Sequence, residues 1–138
     1  MVRAEQLWAA ADDKPLMKPE LRKGADISER LLALGAEVLR LVRSLPDDVA
    51  GRHVMAQLVR SSTSGGANYE EARAAESRAD FIHKLGVAAK ELRETSYWLL
   101  LVRTASLTNA NLDELIRETA ELTAILATSR RTARLNSK

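Results

Sequence analysis

The sequence predicts an all-α protein, an antiparallel up-down four-helix bundle. Three observations predict it. Apolar residues recur at alternating steps of four and three along four separate stretches, which is the seam of helices packed lengthwise. No stretch alternates apolar and polar residues with the period of two that a half-buried strand requires. Aromatic residues make up only 4% of a chain that is 46% hydrophobic, so the core must be built from Leu, Ala, Val and Ile, which suits close-packed helices. At 138 residues the chain is long enough for one sizeable core and too short for two comfortable ones. Short connections between four helices imply neighbours that run in opposite directions.

Residues 1–25 are the least patterned part. Gln6 to Ala11 can form a turn or two of helix, but Pro15 and Pro19 interrupt it and Gly24 follows. This segment reads as an N-terminal arm, flexible or loosely docked, whose Leu7 and Trp8 are available to bury against the body or a neighbouring subunit. The bundle domain is residues 26–138. Its first helix starts near Asp26, a cap with Glu29 as the capping-box partner. Ile27, Leu31, Leu34, Val38, Leu41 and Leu45 form the seam. Pro46 ends the helix, because the residue before a proline avoids helical geometry.

Pro46, Asp47 and Asp48 open the second helix, where proline is tolerated in a first turn and carboxylates meet the positive end of the dipole. Its inner face is Gly51, Met55, Leu58, Ser62, Gly65, Tyr69 and Ala72, and it runs to about Ala75. Gly65-Gly66 costs about 1 kcal/mol per glycine relative to alanine. That implies a bend, or a neighbouring helix too close for a side chain. Ser77 caps the third helix, with Asp80 at its third position. This helix reaches Ala105 along Phe81, Leu85, Ala88, Leu92, Thr95, Leu99 and Val102. Its end, Tyr97 to Val102, is apolar on nearly every face, which predicts burial on every face. In so small a chain, part of that surface should meet another subunit, so Tyr97, Trp98 and Leu101 are oligomer-interface candidates. Asn111 caps the fourth helix with Glu114 as its capping-box partner. Leu112, Leu115, Ile116, Thr119, Leu122, Leu126 and Ala133 face inward.

There is no cysteine, which excludes disulfides, Cys-ligated zinc and thiol nucleophiles and fits a reducing compartment. No apolar run approaches the roughly 20 residues that cross a bilayer. Asp12, Asp13 and Lys14 break up any apolar core of the signal-peptide type. The expectation is a cytoplasmic protein without a membrane partner. Di-metal bundles use Glu-x-x-His on two helices plus two further Glu. Here Asp80-Phe81-Ile82-His83 occurs once and His53 stands in a different context, so no metal and no cofactor is expected. The serines of Ser61–Ser64 have no histidine near them in sequence and no nucleophile elbow. Phosphate-loop and dinucleotide glycine motifs are absent. The chain does not read as an enzyme.

The formal charge is +2, so its placement matters more than its size. Arg130, Arg131, Arg134 and Lys138 gather at one end of the fourth helix, with no acid after Glu121. Arg60, Arg73 and Arg78 add charge along the second helix and its corner. These seven are the nucleic-acid contact candidates. The plainer alternative is a solvated tail that complements a helix C-terminus. In a symmetric oligomer the patch would repeat, and phosphate binding grows with the number of charges neutralised.

Ala67-Asn68-Tyr69-Glu70-Glu71-Ala72, followed by Ser77-Arg78-Ala79-Asp80-Phe81, resembles the signature of the bacterial four helix bundle protein family, also known as the 23S rRNA intervening-sequence proteins. Members show a small-residue segment, a stretch like Asn-Ile-Ala-Glu-Gly, and Ser-x-x-Asp-Phe opening the third helix. Here Tyr69 and Glu70 replace the usual Ile and Ala, and Ala72 replaces Gly. Leu92-Arg93-Glu94 and Thr128-Ser129-Arg130-Arg131 are also similar. The resemblance spans Asp26 to Arg134. It implies a bundle that assembles as a ring, commonly a homopentamer. The family is similar to the accessory protein of diversity-generating retroelements, a basic pentameric ring that binds a reverse transcriptase and nucleic acid. The implied partners are therefore further copies of the chain, RNA or DNA, and a separately encoded protein such as a reverse transcriptase. Asn68, Glu71, Ser77, Asp80 and Phe81 carry the motif. Of these, Asn68, Glu71 and Asp80 read as capping and interhelical hydrogen bonds that fix the corner, with a polar site at the bundle end as the alternative. Together these readings lead to a non-enzymatic, homo-oligomeric scaffold or accessory protein that binds nucleic acid through a basic surface without sequence specificity. The alternative is a protein-binding adaptor with no nucleic-acid activity.

Overall fold

The computed structural model describes residues 24–136. The N-terminal arm, but for its last two residues, and Lys138 lie outside the described residues. Four helices follow one another: α1 (Ala25–Leu41), extended by one 3-10 turn (Val42–Ser44), then α2 (Val49–Arg73), α3 (Arg78–Thr104) and α4 (Asp113–Leu135). No strand occurs among the described residues.

Three helix starts differ from the sequence expectation. Asp26 does not cap α1. Gly24 does, in the left-handed region at φ 80° that glycine adopts without strain. Its carbonyl accepts from the Ser28 N–H at 2.9 Å and from the Tyr69 hydroxyl at 3.2 Å, so a residue of α2 helps to close this end. The second helix begins at Val49 rather than at Pro46. Leu45 is extended, and Asp48 is the cap, accepting from the Gly51 N–H at 2.8 Å. The Pro46 carbonyl packs directly over Gly51, which leaves no room there for a side chain. The buried Leu112 (4% exposed) occupies the cap position of α4. Asn111 still serves a first-turn donor, accepting from the Asp113 N–H at 3.0 Å. Ser77 caps α3 as expected, its hydroxyl accepting from the Asp80 N–H at 3.1 Å.

Side-chain contacts tie neighbouring helices together. Along α2 and α3 they join Glu71 to Lys84 at 2.9 Å, Ser61 to Thr95 at 2.8 Å and Arg60 to Glu91 at 2.9 Å. Arg73 donates to Ser28 at 2.7 Å between α2 and α1. Arg103 meets Asp113 at 3.0 Å across the α3–α4 corner. Arg30 reaches from α1 to Glu118 and Glu121 of α4.

The seams become the core. Leu31, Leu34, Leu85, Leu92, Leu122 and Leu126 form one buried cluster, and Val38, Leu58, Leu99 and Val102 belong to a second. Val54 takes the core position expected for Met55, which is only partly buried. Phe81, Leu115 and Ile116 are partly buried as well. α2 runs unbroken through both glycines. A β-carbon at Gly65 would stand 2.7 Å from Leu92 Cδ2, so close approach, not a bend, accounts for that residue. Nothing in the structure explains Gly66.

Within the single chain, burial at the end of α3 is incomplete. Tyr97 is 58% and Leu100 40% exposed. The seam residues Leu99 and Val102 are covered, but among the described residues no further helix lies over Tyr97 and Leu100. Trp98 is partly buried, edge-on to His53 and Tyr97 with ring centres 5.6 and 5.1 Å away, and donates to Glu94 at 3.1 Å.

The Arg30 link has a pH signature. The Arg30 guanidinium hydrogen-bonds the Glu118 carboxylate and holds it below its ordinary range, against the opposing effect of burial. A depressed carboxylate stabilises the fold above its unfolded value of about 4.5, and that contribution is lost as pH falls through the lower folded value. Both side chains are nearly a third exposed, so the effect is small. Glu118→Gln is expected to cost less than about 1 kcal/mol at neutral pH and nothing at acid pH, checked by urea denaturation at both. An equal cost at both would show that the ion pair is not the source.

A candidate nucleic-acid interface

Gly86, Lys90 and Arg93 follow at steps of four and three, one face of α3. Arg130 and Arg134 are one turn apart on α4. The two faces bound a groove of about 820 Å³. Lys90, Arg93, Arg130, Arg131 and Arg134 line it, together with the apolar Ile82, Ala89, Ala127 and Leu135. No carboxylate lines it. The groove is formed where Arg130 lies against α3 at Gly86. A β-carbon there would stand 2.8 Å from Arg130 Nε. That Nε is buried and has no hydrogen-bond partner, an exception that buried polar groups rarely show.

The structure therefore brings together three of the seven basic candidates, Arg130, Arg131 and Arg134, and joins them to Lys90 and Arg93, which linear reading did not single out. The available signal was the helical spacing of 86, 90 and 93. It means little until α4 is known to lie alongside. Arg60 is elsewhere, between α2 and α3, ion-paired to both Glu91 and Glu94. Those bonds raise its pKa and hold the Glu94 carboxylate below its ordinary range. Its charge is already matched within the fold. Arg73 bonds Ser28 and Glu70. Arg78 is exposed in the first turn of α3 and, with Arg73, lines a separate shallow depression that includes Ser129 and Thr132.

The motif residues build the corner. Asn68 donates back along α2 to the Ser64 carbonyl and hydroxyl at 2.9 and 3.0 Å. Glu71 pairs with Lys84, Ser77 caps α3 at the Asp80 N–H, and Phe81 packs on the core. Asn68 and Glu71 thus bond separately, not as one polar site. Among the described residues no group of three His, Cys, Asp or Glu is placed to hold a metal ion. No helix among them is long and apolar enough to cross a membrane.

The model of the 23S rRNA-intervening sequence protein family matches residues 24–128. The chain belongs to the 23S rRNA-intervening sequence protein family. It is also similar to a crystal structure of a protein of unknown function from the S23 ribosomal protein family of Bacteroides thetaiotaomicron VPI-5482. The two are 35% identical over 75% of this chain and 97% of that one, with a TM-score of 0.67. No curated protein matches. The 23S rRNA-intervening sequence protein match includes Gly86, Lys90 and Arg93 and stops two residues before Arg130. The α3 wall of the groove thus lies inside the matched span, and the arginines of α4 lie beyond it.

Proposed function

We propose that this protein is a non-enzymatic, homo-oligomeric accessory protein that holds RNA or DNA by its phosphate backbone without reading sequence. In this reading the helices form an antiparallel up-down bundle, five copies close into a ring, and the protein works in the cytoplasm. One observation carries the nucleic-acid part: five cations line one groove and no carboxylate does. Phosphate contacts need positive charge that the fold has not already spent on its own acids. Lys90, Arg93, Arg130 and Arg131 line the groove without an ion pair to a described residue, and the ion-paired Arg60 does not meet that condition.

The test is binding of a labelled oligonucleotide across a salt series. Three to five phosphate contacts predict a log–log slope of roughly −2 to −4. No binding at low salt sinks the reading. The ring is supported by the exposed Tyr97 and Leu100. Light scattering is expected to give a mass near five times 15.2 kDa, and a mass of one chain would remove the ring. The same exposed pair favours a second reading, an adaptor that docks a separately encoded protein such as a reverse transcriptase. A one-chain mass together with no nucleic-acid binding would leave the adaptor as the reading to pursue.

A further inference from the structure

We propose that the α3–α4 groove takes single-stranded rather than double-stranded nucleic acid, and that Arg130, laid against the bare backbone at Gly86, is its phosphate seat. This rests on the nucleic-acid reading above and narrows it.

The seat is built rather than incidental. Arg130 Nε, Cδ and Cζ would stand 2.8, 3.3 and 3.3 Å from a β-carbon at residue 86. Only a residue without a side chain lets the guanidinium lie this close to α3. Its Nε is buried and without a hydrogen-bond partner, and the residue lines the groove. A guanidinium held by packing loses little freedom when it binds, and its N–H fork matches two phosphate oxygens.

The remaining charges are set out in a row. At about 1.5 Å rise per residue, positions 86, 90 and 93 span roughly 10 Å of α3. Arg134 extends the row by one turn of α4. A row of cations suits a chain of phosphates, whereas a single free phosphate would engage only one or two of them. The lining also carries the apolar Ile82, Ala127 and Leu135, with the buried Ala89 at its base. A duplex keeps its base faces stacked inside and offers the groove only phosphate and sugar. A single strand offers phosphates and open base faces side by side, and bases stack on guanidinium planes as well as on aromatic rings. The alternation of charge and apolar surface therefore fits the single strand. With no recognition motif, sequence preference is not expected.

The experiment measures fluorescence anisotropy of the full chain with a labelled single strand and with the duplex of the same sequence, at equal salt. The variants are Gly86→Ala and Arg130→Lys. Gly86→Ala keeps every charge and favours the helix. It displaces only the far end of a flexible side chain, and circular dichroism checks that the fold is kept. The single strand is expected to bind at least about tenfold tighter than the duplex, and each variant to weaken single-strand binding about tenfold. Duplex binding as tight as single-strand binding overturns the proposal, as does wild-type affinity in a folded Gly86→Ala protein. If Gly86→Ala does not fold, wild-type affinity in Arg130→Lys overturns it. Absence of binding to either form would instead overturn the broader nucleic-acid reading.

Discussion

Replacing Gly51 with alanine is expected to destabilise the protein by about 2–4 kcal/mol, although the same change inside a helix ordinarily stabilises by up to about 1 kcal/mol. The sign reverses because of one contact. A β-carbon at Gly51 would overlap the Pro46 carbonyl oxygen and stand 2.7 Å from the carbonyl carbon. Both are backbone atoms, so no rotamer change relieves the clash. The turn between α1 and α2 must shift, and with it the cap bond from Asp48 to the Gly51 N–H and the buried Leu45 and Val54. For a chain of this size the loss corresponds to a fall in Tm of about 10 °C. Gly66→Ala is the control. There a β-carbon meets Leu31 Cβ at 3.7 Å, an ordinary contact, so that variant should be neutral or slightly more stable. A Gly51→Ala protein that melts with the wild type would show that Pro46 does not pack as described.

Changing Arg130, Arg131 and Arg134 to alanine together is expected to weaken nucleic-acid binding by about 100-fold at low salt. Charged hydrogen bonds contribute roughly 1.5–3 kcal/mol each, and part of that is lost to screening. The log–log salt slope should become shallower by about 0.7 for each phosphate contact removed from a single strand. Lys90 and Arg93 remain and leave residual binding. Because the triple variant removes three positive charges, it needs a charge-matched partner. Arg40, Arg52 and Arg103 serve: each is ion-paired on the surface, to Glu37, Asp47 and Asp113 respectively. Their joint replacement by alanine is expected to change binding by no more than a few fold. If the two triple variants bind equally poorly, overall charge drives association and the groove has no special part in it.

The two predictions differ in how far the sequence could have led to them. The tail arginines stand out in the chain because no acid follows Glu121. Gly51 was legible only as a small residue on an inner face, and nothing local announced that Pro46 lay over it.

Helical class, the four spans to within a few residues, most seam positions and the Ser77 cap followed from the sequence. These depend on interactions within a few residues of each other: the 3.6-residue period, a hydroxyl three positions before an amide, a proline that forbids the next turn. The family signature followed too, since its residues are contiguous around one corner. Tertiary packing decided the rest. The cap of α1 is completed by Tyr69, 45 positions away in sequence. Arg60 looked like a free cation until α3 supplied Glu91 and Glu94. The apolar end of α3 asked for cover on every face; that Tyr97 and Leu100 are the residues left exposed in the single chain follows only from how the described helices pack. The groove lies where Gly86 of α3 meets Arg130 of α4. Periodicity tells which side of each helix turns inward. Which residues of two helices then meet depends on how side chains of different size fit across the interface, and that is settled by the packed structure alone.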